Sequence, residues 1–320
     1  MSNSSKEYIE KVVSVLLAEG KESTLKQFNL SEETFKRYMR LAKKFGISTV
    51  DKGRLIAQIM KNYNESELEA IAKGGRIVPG YAKVPIISFE GEHIRIGAIT
   101  DTHIGSVDFH EERLYQAFDE FHKEKVDFIA HAGDVLEGMS NRPGHIYELT
   151  HLGYDNQKTY AIQCLSQWRD TPIYAISGNH DRWYIKSSGA NALGDIEKEL
   201  ENFHFLGHDE GEISLKGKAV LRLWHGEDGS SYALSYRLQK ILESLTGGQK
   251  PNAMLAGHVH KYVDIFERHV MCTSIGCIQS QTRWMRSKRI SAHTGFAIID
   301  YWVNNQGICQ KSIMWKPFYS

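Results

Sequence analysis

Several things are missing from this 320-residue sequence, and each absence removes a class of protein. Net charge is missing. The 39 Lys and Arg stand against 39 Asp and Glu, and with 41% hydrophobic residues this indicates a soluble folded chain and excludes a disordered one. No apolar run approaches the roughly eighteen residues of a membrane span. Met1 to Glu10 also lacks a signal-peptide core, so no membrane partner is expected and the expected location is the cytoplasm. The four cysteines, Cys164, Cys272, Cys277 and Cys309, form no C-x-x-C pair, which argues against a zinc ribbon or a disulfide framework; free buried thiols are expected. Internal repeats and low-complexity tracts are lacking too.

What is present is a series of short polar motifs, each just after an apolar run. They are D-x-H (Asp101, His103), G-D (Gly133, Asp134), G-N-H-D (Gly178, Asn179, His180, Asp181), His225 in Trp-His-Gly, and G-H-x-H (His258, His260). The runs before them, Ile94 to Thr100, Phe128 to Ala132, Ile173 to Ile176, Ala219 to Trp224 and Ala253 to Ala256, read as buried strands. In an open α/β sheet the carboxyl ends of strands open into one crevice, so the motifs are expected to converge.

Asp101, His103, Asp134, Asn179, His225, His258 and His260 offer carboxylate, amide and imidazole donors suited to divalent first-row metals. Seven donors are too many for one tetrahedral ion and suit two. A pair about 3.5–4 Å apart needs a bridging ligand; a carboxylate has two oxygens for this, and Asp134 is the expected bridge. A water shared by such metals loses a proton near neutral pH and attacks phosphorus. His180, beside Asn179, is free to donate a hydrogen bond to a phosphate or a proton to a leaving oxygen, with Asp181 expected to orient it. For His93, His110, His122, His131, His145, His151, His204, His208, His269 and His293 a structural role is expected, His145 being a partial exception because its loop adjoins Asp134.

At these residues the chain resembles the calcineurin-like metallophosphoesterases, whose ordered pattern is present without a missing ligand over roughly residues 93 to 305. The resemblance implies an α/β fold, a four-layer αββα sandwich of two mixed sheets packed face to face with helices outside. It also implies that Asp101, His103, Asp134 and His260 hold one metal, and Asp134, Asn179, His225 and His258 the other.

Before this part stands a segment of helical spacing. Lys6 to Ala18 places Ile9, Val12, Val13, Leu16 and Leu17 on one face, and Gly20 stops it. A short helix around Leu25 to Phe28 and a second one capped by Ser31 resemble a helix-turn-helix. The second helix carries Lys36, Arg37, Arg40, Lys43 and Lys44, which either lie against phosphates or form an ordinary solvated face. Further helices are expected over Gly53 to Met60 and Ser66 to Lys73. The domain reading is therefore 1–76 helical, a helix-turn-helix-like nucleic-acid-binding candidate, 77–92 a linker and entry strand, and 93–320 the metallophosphoesterase part.

Within that part the predicted order is a βαβ unit over Ile94 to Ala132, a polar insertion from Leu136 to Tyr154, and helices over Asn156 to Trp168, Gly189 to Glu201 and Ser231 to Leu245. Near the end, Arg283, Arg286, Lys288 and Arg289 surround Trp284, a place to grip phosphates and stack a base. Asp101 to Ser106, Gly133 to Gly138, Pro143-Gly144, Glu148-Leu149 and Gly276 to Thr282 look like the exonuclease small subunit of D-family DNA polymerases, with the double-strand-break repair nucleases next. In that polymerase subunit an OB fold precedes the phosphoesterase, whereas a helical segment does so here.

The resemblance implies a metal-dependent phosphodiesterase acting on nucleic acid, a DNA exonuclease of 3′ to 5′ polarity. It implies Mn²⁺ as the metal, with Fe, Zn, Mg and Ni as alternatives, and DNA together with a replication or repair protein as partners; a homodimer is left open. The competing readings are a phosphatase or phosphodiesterase acting on a phosphoprotein, a nucleotide or a cyclic nucleotide, and a noncatalytic subunit that binds DNA or a polymerase.

Overall fold

Alternating apolar residues such as Ile94, Ile96 and Ala98 give a strand one fully apolar face, which must be covered by a second layer. A computed structural model describes residues 6–49, 84–227, 233–245 and 250–319 and shows that cover. Contacts divide the chain into two units, Met1–Ile77 and Val78–Ser320.

In the first unit, α1 (Lys6–Glu19), α2 (Lys21–Gln27) and α3 (Glu32–Lys44) close on a small core of Ile9, Val12, Val13, Tyr38 and Ala42. The turn between α2 and α3 contains Asn29 at φ 47°, a left-handed position that Asn tolerates well. Ser31 caps α3, its hydroxyl accepting from Thr34 N–H at 3.2 Å. The helices expected over 53–60 and 66–73 lie outside the described residues.

The second unit runs β1 (Ile86–Ile87), β2 (His93–Ile99), α4 (Glu111–Lys123), β3 (Phe128–His131), α5 (Tyr154–Leu165), β4 (Ile173–Ser177), α6 (Arg182–Ser188), α7 (Ala192–Glu199), β5 (Phe203–His208), β6 (Glu210–Leu215), β7 (Ala219–Trp224), α8 (Tyr236–Ser244), β8 (Ala253–Ala256), β9 (Tyr262–Glu267), β10 (Val270–Ile275), α9 (Arg283–Ser287), β11 (Gly295–Asn304) and β12 (Gly307–Pro317). One sheet has the order β1-β6-β7-β8-β10-β9 and the other β12-β11-β2-β3-β4-β5. Both are mixed: β2, β3, β4 and β5 pair in parallel, as do β7, β8 and β10, while β11 runs antiparallel to β2.

Three cores define the layers. Ile94, Ile96, Phe128, Ile176, Leu221, Leu223, Leu255 and Ile299 fill the space between the sheets. Outside, α4, α5 and α7 cover one sheet through Leu114, Phe118, Phe121, Leu165 and Ile196, and α8 covers the other through Leu238 and Leu242. This is the αββα architecture. Among the described residues no helix is long and apolar enough to cross a membrane.

The differences from expectation are local. The helix predicted over Gly189 to Glu201 begins only at Ala192, because Gly189 ends α6 at φ 75° and Asn191 caps α7. The α5 helix ends at Leu165 and tightens into a 3₁₀ turn over Ser166–Trp168. Cys164, Cys272 and Cys277 are buried, but Cys309 is exposed on the polar edge strand β12. The apolar-run reading does not mark β6 or β12, whose alternation is interrupted by Glu, Lys and Gln.

Gly97 on β2 shows how tightly the layers meet, since a Cβ there would stand 2.8 Å from the Phe121 ring of α4. Its φ is not left-handed, so the demand is for space alone. Gly97→Ala is expected to cost about 1–3 kcal/mol in urea unfolding. Adding Phe121→Leu should restore part of that loss, as expected of two residues in contact.

Candidate metal centre

Each motif follows a strand end. Asp101 and His103 follow β2, Asp134 follows β3, Asn179 to Asp181 follow β4, His225 follows β7, and His258 and His260 follow β8. The first three strands belong to one sheet and the last two to the other, so the sandwich brings both sets to one crevice. Asp101, His103, Asp134, His258 and His260 all have left-handed backbones, with φ between 50° and 75°. Such conformations cost about 1–3 kcal/mol each for side-chain-bearing residues and collect at functional sites; Asp and His are among the types that adopt them most readily. Close approach is made possible by motif glycines: a Cβ at Gly178 would lie 2.6 Å from Asp134 N, and one at Gly257 would lie 2.6 Å from Ala132 O.

The donor atoms form two groups, spanned by a third of His103, Asp134 and His180. Those of Asp101, His103 and His260 lie within 4.8 Å of one another, and so do those of Asp134, His225 and His258. Asn179 Oδ1 is 3.0 Å from His258 Nδ1. Asp134 links the groups, its Oδ2 lying 3.7 Å from His103 Nε2 and 3.1 Å from His225 Nε2.

Hydrogen bonds settle which imidazole nitrogens are available. His225 Nδ1 is 2.7 Å from the Ala132 carbonyl, which can only accept, so Nδ1 carries the proton. That leaves Nε2 directed at the carboxylates, buried and without a hydrogen bond among the described residues. His103 Nδ1 likewise donates to Glu137 Oε2 at 2.9 Å, and its Nε2 stands 3.3 Å from His260 Nε2. A buried His225 nitrogen with no hydrogen-bond partner and two buried carboxylates ringed by imidazoles together fit divalent cations, with Zn²⁺, Fe, Mn²⁺ and Ni all compatible with imidazole and carboxylate.

The local fields agree with that fit. Burial alone would raise Asp134, yet His225, His180 and His103 hold it well below the usual carboxylate range. Burial would lower His225, but Asp134 and Asp101 push it up to about 9.

His180 presents Nε2 to the cavity, since its Nδ1 lies 2.8 Å from the Glu137 carbonyl and must donate to it. Its backbone N–H donates to Asp134 Oδ1 at 2.8 Å. Asp181 does not orient the His180 ring, contrary to the expectation from sequence. Its carboxylate accepts from Val135, Leu136 and Gly178 N–H at 3.1, 2.8 and 2.8 Å and so ties the Asp134 loop to the Asn179 loop. Burial and the Asp134 charge push it up to about 7 against those three donors.

Two neighbours escaped the sequence reading. Glu137, three residues after Asp134, is buried and accepts from His103, from His145 Nε2 at 3.0 Å and from Gln279 Nε2 at 3.3 Å. Trp183 lies against His180 with ring centroids 3.9 Å apart and planes tilted by 34°. The signal for Glu137 was its spacing from the G-D motif, hidden because the stretch reads as the start of a polar insertion. That insertion is anchored: Leu136 pairs with Ile104, Leu149 pairs with Ser106, and His145 is a buried support.

A cavity of about 410 Å³ opens over the donors, walled by Trp183, Trp284, Met285, Ile290 and the paired Arg142 and Glu148. Trp284 reaches this cavity from α9 and is 52% exposed. Arg283, Arg286, Lys288 and Arg289 are exposed on α9 and its exit but do not line the cavity. Lys36, Arg37 and Arg40 belong to the first unit and are exposed on α3.

Comparison with known proteins gives three findings. A family model described as calcineurin-like phosphoesterase matches residues 94–262. The DNA polymerase II small subunit of Halobacterium salinarum is 25% identical over 248 residues, covering 64% of this chain and 48% of its own. The protein of the same name from Archaeoglobus fulgidus is 24% identical over 241 residues, covering 62% and 49%. The chain thus spans about half the length of these curated relatives. Among solved structures, a novel archaeal phosphodiesterase aligns with a TM-score of 0.42 at 15% identity, over 70% of this chain and 100% of that one. The E. coli phosphoesterase Yfce aligns with a TM-score of 0.40 at 16% identity, over 68% and 98%.

Two outcomes are expected from this geometry. Because protonation of His225 Nε2 competes with a cation below pH about 9, Mn²⁺ affinity should rise with pH from 6 towards 9; at pH 7.5 the calorimetric heat should change with buffer ionisation enthalpy as protons are released. Glu137→Ala removes the acceptor that fixes His103 and should weaken Mn²⁺ binding about 10–100-fold. Titration of the folded variant, checked by circular dichroism, measures this.

Proposed function

The chain belongs to the calcineurin-like phosphoesterase family, and from that premise we propose that it is a dinuclear-metal phosphodiesterase acting on nucleic acid, a DNA exonuclease of 3′ to 5′ polarity. The observation that carries the hydrolytic reading is the convergence of Asp101, His103, Asp134, His225 and His260, all buried, with the half-buried Asn179 and His258, and with His225 Nε2 unsatisfied. Asp101, His103, Asp134 and His260 would hold one cation and Asp134, Asn179, His225 and His258 the other, Mn²⁺ being the first choice. Such a pair, when bound, supplies Lewis acidity at the phosphoryl oxygens and a nucleophile at neutral pH.

This chain's own groups then divide the remaining tasks. Asp134 neutralises charge between the two groups of donors. His180, its Nδ1–H held by the Glu137 carbonyl, keeps Nε2 facing the cavity, where a protonated ring can give its proton to the leaving oxygen. Asp181 keeps the Asp134 and Asn179 loops in register. Arg142 places a cation on the cavity wall.

Support for nucleic acid comes from the apolar wall of Trp183 and Trp284, on which a base can stack, and from the four cations around Trp284 that suit a polyanionic strand. The curated relatives carry the name DNA polymerase II small subunit, which agrees with this substrate and with a replication or repair protein as partner. In this reading residues 93–320 are the catalytic part, 77–92 a linker and entry strand that includes β1, and 1–76 an accessory helical domain.

The test is degradation of 5′-labelled single- and double-stranded DNA with Mn²⁺, run beside p-nitrophenyl phosphate and its bis ester. Shortening from the 3′ end is expected, abolished by Asp134→Ala and slowed about 10²–10⁴-fold by His180→Ala. Turnover of the monoester alone would overturn the nucleic-acid reading, and no metal-dependent turnover at all would overturn the enzymatic one.

A further inference from the structure

The first unit carries a surface that the hydrolytic reading does not use. On α3, Lys36, Arg37, Arg40, Lys43 and Lys44 fall within an arc of about 120° at 100° per residue, and all five are exposed. The opposite side of the helix buries Phe35, Tyr38 and Ala42, and Tyr38 and Ala42 pack against Ile9, Val12 and Val13 of α1. The cations therefore have no way to turn inward.

On α1, α7 and α8 the exposed faces mix their signs. Lys6 pairs with Glu10 on α1, Lys198 with Asp195 on α7, and Lys240 with Glu243 on α8. On α3, Glu32 and Glu33 stand three or four residues before Lys36 and Arg37, but around Arg40 every charged neighbour at those spacings is a cation: Lys36, Arg37, Lys43 and Lys44. Such like-charge pairs destabilise a helix by about 0.2–0.5 kcal/mol each. None of the five makes an ion pair among the described residues. Lys43 and Lys44 gain from the helix C-terminus and Arg37 lies over the Tyr38 ring, but the repulsions around Arg40 are left, and a polyanion laid along the face offsets them.

We propose that this face of α3 binds the sugar–phosphate backbone of nucleic acid without reading its sequence. The acids of α3 set that limit. Glu32 and Glu33 occupy the first turn, the part that a helix-turn-helix protein points at base edges. Glu32 is held by Lys21 at 2.8 Å, and Glu33 is exposed, so that end meets phosphates unfavourably. The basic stretch from residue 36 to 44 rises about 12 Å and lies along a strand instead. The inference does not rest on the hydrolytic site, since binding is measured without turnover.

The test uses the full chain in EDTA, with fluorescence anisotropy on duplex DNA of two unrelated sequences over a range of KCl concentrations. Lys36→Gln, Arg40→Gln and Lys43→Gln combined should lower the slope of log affinity against log salt by about 3, at roughly 0.9 per phosphate contact on duplex DNA. The loss should be equal on both sequences. The charge-keeping combination Lys36→Arg and Lys43→Arg should retain the parent slope. An unchanged slope in the neutralised variant overturns the proposal, as does an equal loss in the charge-keeping one. A loss confined to one sequence overturns the backbone-only reading.

Discussion

Asp101 and Asp134 are carboxylates held almost fully away from solvent, and a buried charge is tolerated only where opposite charge or hydrogen bonds face it. Here the facing groups are imidazoles of His103, His225 and His260 and the backbone N–H groups of His180 and His258. Much else in the second unit serves that confrontation. The two sheets must pack face to face for β7 and β8 to deliver imidazoles against carboxylates from β2 and β3. The left-handed residues at the strand ends must be retained despite their cost.

The support behind these groups is layered. Glu137 fixes the His103 ring, and His145 and Gln279 in turn fix Glu137, so residues from the insertion and from the segment before α9 act on one donor. Asp181 does for the backbone what Glu137 does for the side chains, joining loops about 45 residues apart in sequence through three N–H bonds. Local strain and charge at the crevice are thereby carried by a packed scaffold, to which Trp183 belongs through its contacts with His180 and His145.

The sequence was informative wherever function and local pattern coincide. The apolar runs that mark β2, β3, β4, β7 and β8 each end at a polar motif, because the strand must be buried and its last residue must not be. Serine at position 31, before a run of helical period, announces the start of α3. The reading failed where an element lacks local contrast: α6 opens directly out of the G-N-H-D motif, and β12 is an edge strand with a polar face. Asp181 was assigned to the His180 ring because the two adjoin in sequence, although neighbouring side chains at such a turn point apart.

By itself the sequence determined which atoms are available: seven donors of metal-binding chemistry, their order, and the basic stretch of α3. The tertiary structure decided how they are used. It grouped the donors around Asp134, freed Nε2 of His225 by giving its Nδ1 to a carbonyl 93 residues away, and enlisted Glu137 and Trp183. Residue type and spacing are local properties, whereas the orientation of an imidazole ring is set by an acceptor that only another strand can supply.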